Sequence, residues 1–463
     1  MSTEMNSIQE SDVAHFLHPY TNLKKHQDVG PLVITRGDGI YVYDSEGNQY
    51  IEGLSGLWCT ALGFSEKRLI RAASREMEKL PFFYSFFGRG HDVGIALAEK
   101  LISLAPVPMS KAFFTSSGSE ANDTAVKLIW YYNNSLGRPK KKKIISRMKA
   151  YHGVTIASAS LCGLPANHDD FDLPIANILH TDCPHAYRFA EPGETDESFA
   201  TRLADNLEKL ILEEDPDTVA AFIAEPIMGA GGVLVPPKTY YSKIQAVLNR
   251  YDILFVCDEV INGFCRTGNY WGAETRNIKP DIMTMAKALT SAYQPMGALL
   301  LSENIYQGLV HESEKLGIFG HGYTYSGHPV CAAVALEAIK IYEERNILKD
   351  VKKVGPRLQS GLRKYSDHPL VGEVRGVGMM AAVELVKNKK TKESFSSASG
   401  VGAYFGKISI ENGLIIRSIG DSICLAPPLI TSEDQIDSIL EKFDHALEET
   451  TAWVYQNKFS NID

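Results

Sequence analysis

The sequence has no C-x-x-C pair, and its seven cysteines, Cys59, Cys162, Cys183, Cys257, Cys265, Cys331 and Cys424, are scattered and odd in number. That pattern disfavours a disulfide framework and a structural zinc site, and it suits a reducing compartment. Basic excess is missing too: 47 Lys and Arg stand against 56 Asp and Glu, a net charge of -9, so a nucleic-acid surface is not expected. The one dense basic run, Lys140 to Lys143, follows Gly137 and Pro139 and reads as a solvated loop. No hydrophobic run approaches the length of a membrane span, no membrane partner is expected, and no repeat or low-complexity segment interrupts the chain. MSTEMNSIQESDVAHF carries acids and no apolar core, unlike a secretory signal or a basic transit peptide, so a cytoplasmic location is expected. His311, His321 and His328 lack H-E-x-x-H spacing, and no metal is expected.

What is present is an ordinary soluble composition: 463 residues, 44% hydrophobic and 22% charged, enough chain for two or three domains with large cores. The most informative stretch runs from Tyr251 to Tyr293, where two apolar runs are each interrupted by charge at one place. Ile253 to Cys257 reads as a strand buried on both faces with Asp258 and Glu259 at its end; Ile282 to Leu289 is a second such run containing one cation, Lys287. Burying Asp258 and Lys287 is costly unless they are paired, and a plain structural ion pair is one reading. The other places a heteroaromatic cofactor between them: pyridoxal phosphate needs a lysine for its Schiff base and an anion beside its ring nitrogen.

The flanking segments bear on that choice. GDGIYVYDSEGNQYI reads as a hairpin pairing Ile40 to Tyr43 with Gln49 to Ile51, and Leu54 to Phe64 follows as a loop whose Trp58 is either core or pocket wall. PFFYSFFGRGH, with Phe86, poses the same question. In FFTSSGSEANDTAVKLIWYY a strand, a small polar turn and a helix follow one another; Ser117, Gly118 and Ser119 at the helix start suit a phosphate, or are simply an N-cap. Tyr151 and His152 lie beyond the next strand, where an aromatic can stack on a flat cofactor. Strands and helices alternate from Ala112 to Leu301, predicting an α/β architecture with a largely parallel sheet and its ligand at the carboxyl ends of the strands, where Ser119, Tyr151, Glu225, Asp258 and Lys287 fall. From Val371 short strands predict a second, smaller α+β domain, closed by an amphipathic helix behind the Ser432 and Gln435 capping box. The expected division is residues 1–60 packing with the small domain, 61–329 as the large domain, and 330–463 as linker helix plus small domain.

SGSEANDT, AYHGVT, AEPIMGAGGV, DEVINGFCRTG, PDIMTMAKAL, GYTYSGHPV and RGVGMM occur in an order and spacing that resembles the class III (omega) aminotransferases, pyridoxal phosphate enzymes of fold type I. The likeness runs from about Pro31 to Thr450 and is similar in detail to gamma-aminobutyrate:pyruvate and omega-amine:pyruvate transaminases, through LWCTALG, GLPANHDDFDLP, HTDCPHAYRF and KYSDHPLVGEVRG. Cys265 stands where a glycine is commoner. The resemblance implies a large domain with a mainly parallel seven-stranded-type sheet, and roles for named residues. Lys287 would be the Schiff-base lysine and Asp258 the partner of the ring nitrogen; Ser117, Gly118 and Ser119 would hold the phosphate, and Tyr151 and Val260 would cover the ring faces, with His152 and Glu225 beside them. Thr324 would reach the phosphate of a neighbouring subunit, making a homodimer or a dimer of dimers with shared active sites. Trp58, Phe86 and Tyr151 would line the substrate pocket, and Arg417 would bind a carboxylate with Glu225 as its neighbour.

The implied reaction is ping-pong transfer of an amino group from an omega-amino acid or primary amine to a keto acid such as pyruvate, with Lys287 moving the proton. An aminomutase or a dialkylglycine-type decarboxylase of the same fold would keep Lys287 and Asp258. A non-catalytic cofactor-binding protein would not need the lysine.

Overall fold

Buried strands with apolar residues at nearly every position explain the central sheet: all residues of Val219–Ala224, Ile282–Met285 and Gly297–Leu301 are buried, as a strand covered on both faces requires. The computed structural model describes residues 5–460. Seven strands pair in the order Lys111–Thr115, Gly297–Leu301, Ile282–Met285, Leu254–Asp258, Val219–Ala224, Lys143–Arg147, Ile178–Thr181. Gly297–Leu301 runs antiparallel to both of its neighbours, and the remaining pairs are parallel. The helices Gly118–Ser135 and Glu303–Leu316 bury Ala121, Ala125, Leu128, Ile305 and Leu309 against one face. The helices Asp196–Glu213 and Tyr240–Arg250 bury Leu203, Leu207, Ile244 and Leu248 on the other. This is the α/β architecture of fold type I, and it gathers the ends of the parallel strands along one edge.

A smaller antiparallel sheet orders Val371–Val377, Met380–Leu385, Ser422–Leu425 and Arg417–Ile419. The terminal helix Glu433–Gln456 begins with the expected capping box of Ser432 and Gln435; Ile436, Ile439, Phe443 and Leu447 are buried, while Leu440 is half-buried. A third sheet joins the two ends of the chain. The predicted hairpin forms as Tyr41–Asp44 against Gln49–Glu52, is extended by Ile34–Asp38, and is closed by Leu414–Ile415, which runs parallel to the Gln49 strand.

The run Lys140 to Lys143 corrects the solvated-loop expectation. Lys141 is buried and donates to Tyr251 O (3.1 Å), Lys142 donates to Trp130 O (2.8 Å), and Lys143 pairs with Glu214 (2.8 Å). Three ammonium groups fasten the start of the strand Lys143–Arg147 to the helix Gly118–Ser135 and to the C-terminal ends of two other helices. Among the described residues, no helix is long and apolar enough to cross a membrane.

Candidate active site

Asp258 ends its strand with the side chain buried at 3% exposure, and its oxygens accept from donors in three directions. Oδ2 accepts from His152 Nδ1 (2.8 Å) and Asn122 Nδ2 (2.8 Å), and Oδ1 accepts from the Val260 N–H (3.0 Å). His152 is itself buried, and its Nε2 has no partner among the described residues.

Lys287 follows the adjacent strand with a φ of 45°, a left-handed conformation that turns the chain out of the sheet. Burial lowers its pKa; Cys59, Asp258 and Glu225 oppose that shift, and the Arg417 guanidinium reinforces it. Both residues line one cavity of about 410 Å³, together with Gly118, Ser119, Tyr151, His152, Glu225, Val260, Trp58 and Arg417.

Its anion end is the start of the helix Gly118–Ser135. Ser117 is the N-cap, its hydroxyl accepting from the Glu120 N–H (3.1 Å), so it stands outside the cavity lining and serves the helix. The N–H groups of Gly118 and Ser119 head the helix with no carbonyl behind them, and the helix dipole points the same way. A Cβ at Gly118 would meet Val260 at 3.0 Å, which explains a glycine where the cavity narrows. Glu225 is used by the backbone: Oε1 accepts from the Tyr151 N–H (3.1 Å) and Oε2 from the Gly229 N–H (2.8 Å), while burial raises its pKa. Glu225 and Arg417 line the same cavity as neighbours without forming an ion pair, and among the described residues Arg417 makes none.

Tyr151 borders the cavity beside Tyr20, and burial raises its pKa. Trp58 is buried at 2% exposure in a turn where Ser55, Gly56 and Trp58 all have positive φ. A non-glycine residue there costs on the order of 1–3 kcal/mol, so the surrounding contacts must hold the turn. Pro19, Tyr20, Leu57, Gly153, Ala230, Ile261 and Ala286 complete the lining, and Asn122 the carboxylate's shell. Sequence reasoning missed these; only Asn122, four residues after Gly118 on the cavity end of the helix, left a usable signal.

Phe86 and Thr324 do not reach this cavity within one chain. Phe86 lines a separate groove of about 840 Å³ with Gly322 and His321, and Thr324 is exposed on the loop that borders it. Two sets of His and acidic groups converge elsewhere, Asp12 with His18 and His26, and His185 with Glu373 and Glu384; the Arg375 guanidinium pairs with both acids of the second. Neither set borders the Lys287 cavity.

A lysine and a carboxylate lining one cavity with a helix start beside it fit a flat, phosphorylated heteroaromatic aldehyde that carries a ring nitrogen. Together with the sheet order, this defines the class: a fold type I pyridoxal phosphate enzyme.

The comparisons narrow it. The pattern of the family "Aminotransferase class-III" matches residues 23–447. A "Gamma aminobutyrate transaminase 1, mitochondrial" of Solanum lycopersicum is 53% identical over 443 residues, covering 96% of this chain and 86% of that protein. A "Gamma aminobutyrate transaminase 3, chloroplastic" of the same plant is 52% identical, covering 96% and 87%. Among solved structures, the omega transaminase of Pseudomonas jessenii in complex with PMP superposes with a TM-score of 0.96 at 54% identity, covering 97% of this chain and 99% of that one. The chain belongs to the class III aminotransferase family; it is a transaminase that uses pyridoxal 5'-phosphate. The plant names overturn the cytoplasmic expectation, because these relatives are named as mitochondrial or chloroplastic and a short polar stretch does not fix a compartment.

Proposed function

We propose that the enzyme moves an amino group from an omega-amino acid or primary amine to a keto acid such as pyruvate. The observation that carries this reading is Arg417, a guanidinium facing the Lys287 cavity without an ion-pair partner among the described residues, beside the apolar Leu57, Trp58, Val260 and Ile261. An available guanidinium suits the carboxylate of a keto acid, and the apolar wall suits a donor that lacks a carboxylate next to its amine. The gamma-aminobutyrate and omega transaminase names of the relatives support the same donor class.

Pyridoxal phosphate, when bound, supplies an electron-withdrawing ring that acidifies the carbon bearing the amino group. We assign Lys287 the covalent attachment and, once released, the movement of the proton at that carbon; its lowered pKa keeps the amine available as a base. Asp258, held by His152 and Asn122, would keep the ring nitrogen protonated. Gly118 and Ser119 are assigned the phosphate, with Ser117 supporting them as helix cap, and Tyr151 and Val260 the ring faces. Glu225 acts by fixing the Tyr151 backbone. Trp58, Tyr151 and Arg417 would contact the substrate.

A homodimer completes this reading. Phe82, Phe83, Phe86, Phe87 and Tyr325 are exposed around the second groove, an apolar surface that supports association, and it would carry Phe86 and Thr324 to the neighbouring subunit's site. Residues 61–329 are proposed as the cofactor domain, with residues 1–60 and 330–463 packing as the smaller one. A panel of omega-amino acids and primary amines with pyruvate, reading alanine, tests the assignment; no alanine from any donor would overturn it.

A further inference from the structure

The turn that carries Leu57 and Trp58 is held from two sides by charged residues outside the cavity lining. Glu52, at the end of the hairpin strand and 4% exposed, accepts the Gly56 N–H through its carboxyl group. Arg266, 2% exposed, donates through Nη2 to Ser55 Oγ (3.2 Å) and through Nη1 to Met379 O (3.0 Å) and Pro427 O (2.6 Å). Ser55 Oγ in turn donates to Ala426 O (2.6 Å). The guanidinium therefore binds the turn to the smaller sheet while the carboxylate binds it to the hairpin.

Trp58 has no clamp of its own. Its indole Nε1 makes no hydrogen bond among the described residues, and its ring packs in a cluster with Leu54, Ile227, Val233 and Ile261. The place of the cavity wall is then set by the backbone of residues 54–58, whose positive-φ turn would relax once the Gly56 N–H lost its acceptor.

We propose that Glu52 and Arg266 are positioning residues that set donor specificity by fixing the Leu57 and Trp58 wall. The inference rests on the proposed donor class, because specificity has meaning only if amines of different bulk are substrates. Neither residue touches the reacting atoms: they act through the turn. Burial pushes the Glu52 carboxyl up to about 8, and the charged or titratable groups that face it are Arg266 and Cys59. The same acceptor therefore changes charge in the mildly alkaline range.

The test compares wild type, Glu52→Ala, Glu52→Gln and Arg266→Lys in two readouts. In the first, the ratio of kcat/KM for phenylethylamine to that for beta-alanine should shift at least about fivefold in Glu52→Ala and Arg266→Lys, and stay within about twofold in Glu52→Gln, which keeps an acceptor oxygen. Between about pH 7 and 9 that ratio should drift in wild type and stay flat in Glu52→Gln. In the second, amide exchange over residues 54–60 should accelerate in Glu52→Ala and Arg266→Lys alone. Should Glu52→Ala fail to fold, Arg266→Lys supplies the same comparison. An unchanged donor ratio with unchanged exchange, whatever the melting temperature, would overturn the proposal. A wild-type protein that transfers no amino group would instead sink the functional reading, and exchange at residues 54–60 would still decide the clamp.

Discussion

Asn122 donates through one amide nitrogen to Asp258 Oδ2 (2.8 Å) and to the His152 carbonyl (2.7 Å), joining the helix that starts at Gly118 to the end of the strand Leu254–Asp258. The anion cradle and the carboxylate are thereby held at a fixed separation, which a rigid ligand carrying both a phosphate and a ring nitrogen requires.

Asp258→Asn should lower turnover by several orders of magnitude without unfolding the protein, since the amide has the same shape but cannot hold a proton on the ring by charge. Asn122→Ala should cost about tenfold, the worth of one hydrogen bond to a charged group. Single-turnover kinetics measures both; a loss under about tenfold for Asp258→Asn would place the nitrogen partner elsewhere.

Lys287→Ala should transfer no amino group while still retaining the cofactor without a covalent bond. Absorbance after dialysis checks retention, and alanine production checks activity. Alanine at the wild-type rate would remove Lys287 from the chemistry.

Arg417→Ala should raise the KM for pyruvate strongly and change little in the half-reaction with phenylethylamine, whose tail is uncharged. Equal losses in both half-reactions would make Arg417 structural.

Glu259 is 1% exposed and accepts the N–H groups of Gly272 (2.9 Å) and Ala273 (2.6 Å), yet burial lifts its carboxyl from 4.5 to about 7. A raised acid binds its proton more tightly in the folded chain, so its contribution to stability is present at low pH and falls as pH rises across that window, by at most roughly 1.4 kcal/mol per unit. Glu259→Gln should lose that slope. Denaturant melts at a series of pH values give the difference, and parallel curves for the two proteins would refute it.

Phe87, 78% exposed beside the Phe86 groove, should tolerate aspartate in the isolated chain and block association. Phe87→Asp is expected to be monomeric by light scattering and inactive. A fully active monomer would mean that each chain completes its own site.

The residues legible in the sequence were those whose cost is local. A charge ending an apolar run, as at Asp258, or sitting inside one, as at Lys287, needs a reason wherever the chain goes. The helix start at Gly118 was legible because caps and turns are written in consecutive residues. Tyr20, Leu57 and Ala230 reach the cavity from loops far apart in sequence, and no local pattern announces such a meeting. Gly297–Leu301 reads as one more buried strand, and its antiparallel direction follows from the connection that precedes it rather than from its own side chains. The lysines after Pro139 misled for a similar reason: whether an ammonium meets water or the Tyr251 and Trp130 carbonyls depends on what folds beside it.

The parallel pairing of Leu414 with Ile51 also sets an order of assembly. The hairpin strand Gln49–Glu52 leaves the ribosome early, and its partner emerges only when nearly all of the chain has been made. Until then that strand has an open edge, a template for pairing with other chains. Premature termination before residue 414 would therefore yield a product that lacks Arg417 and keeps the edge exposed, so incomplete synthesis should surface as aggregation rather than as a partly active enzyme.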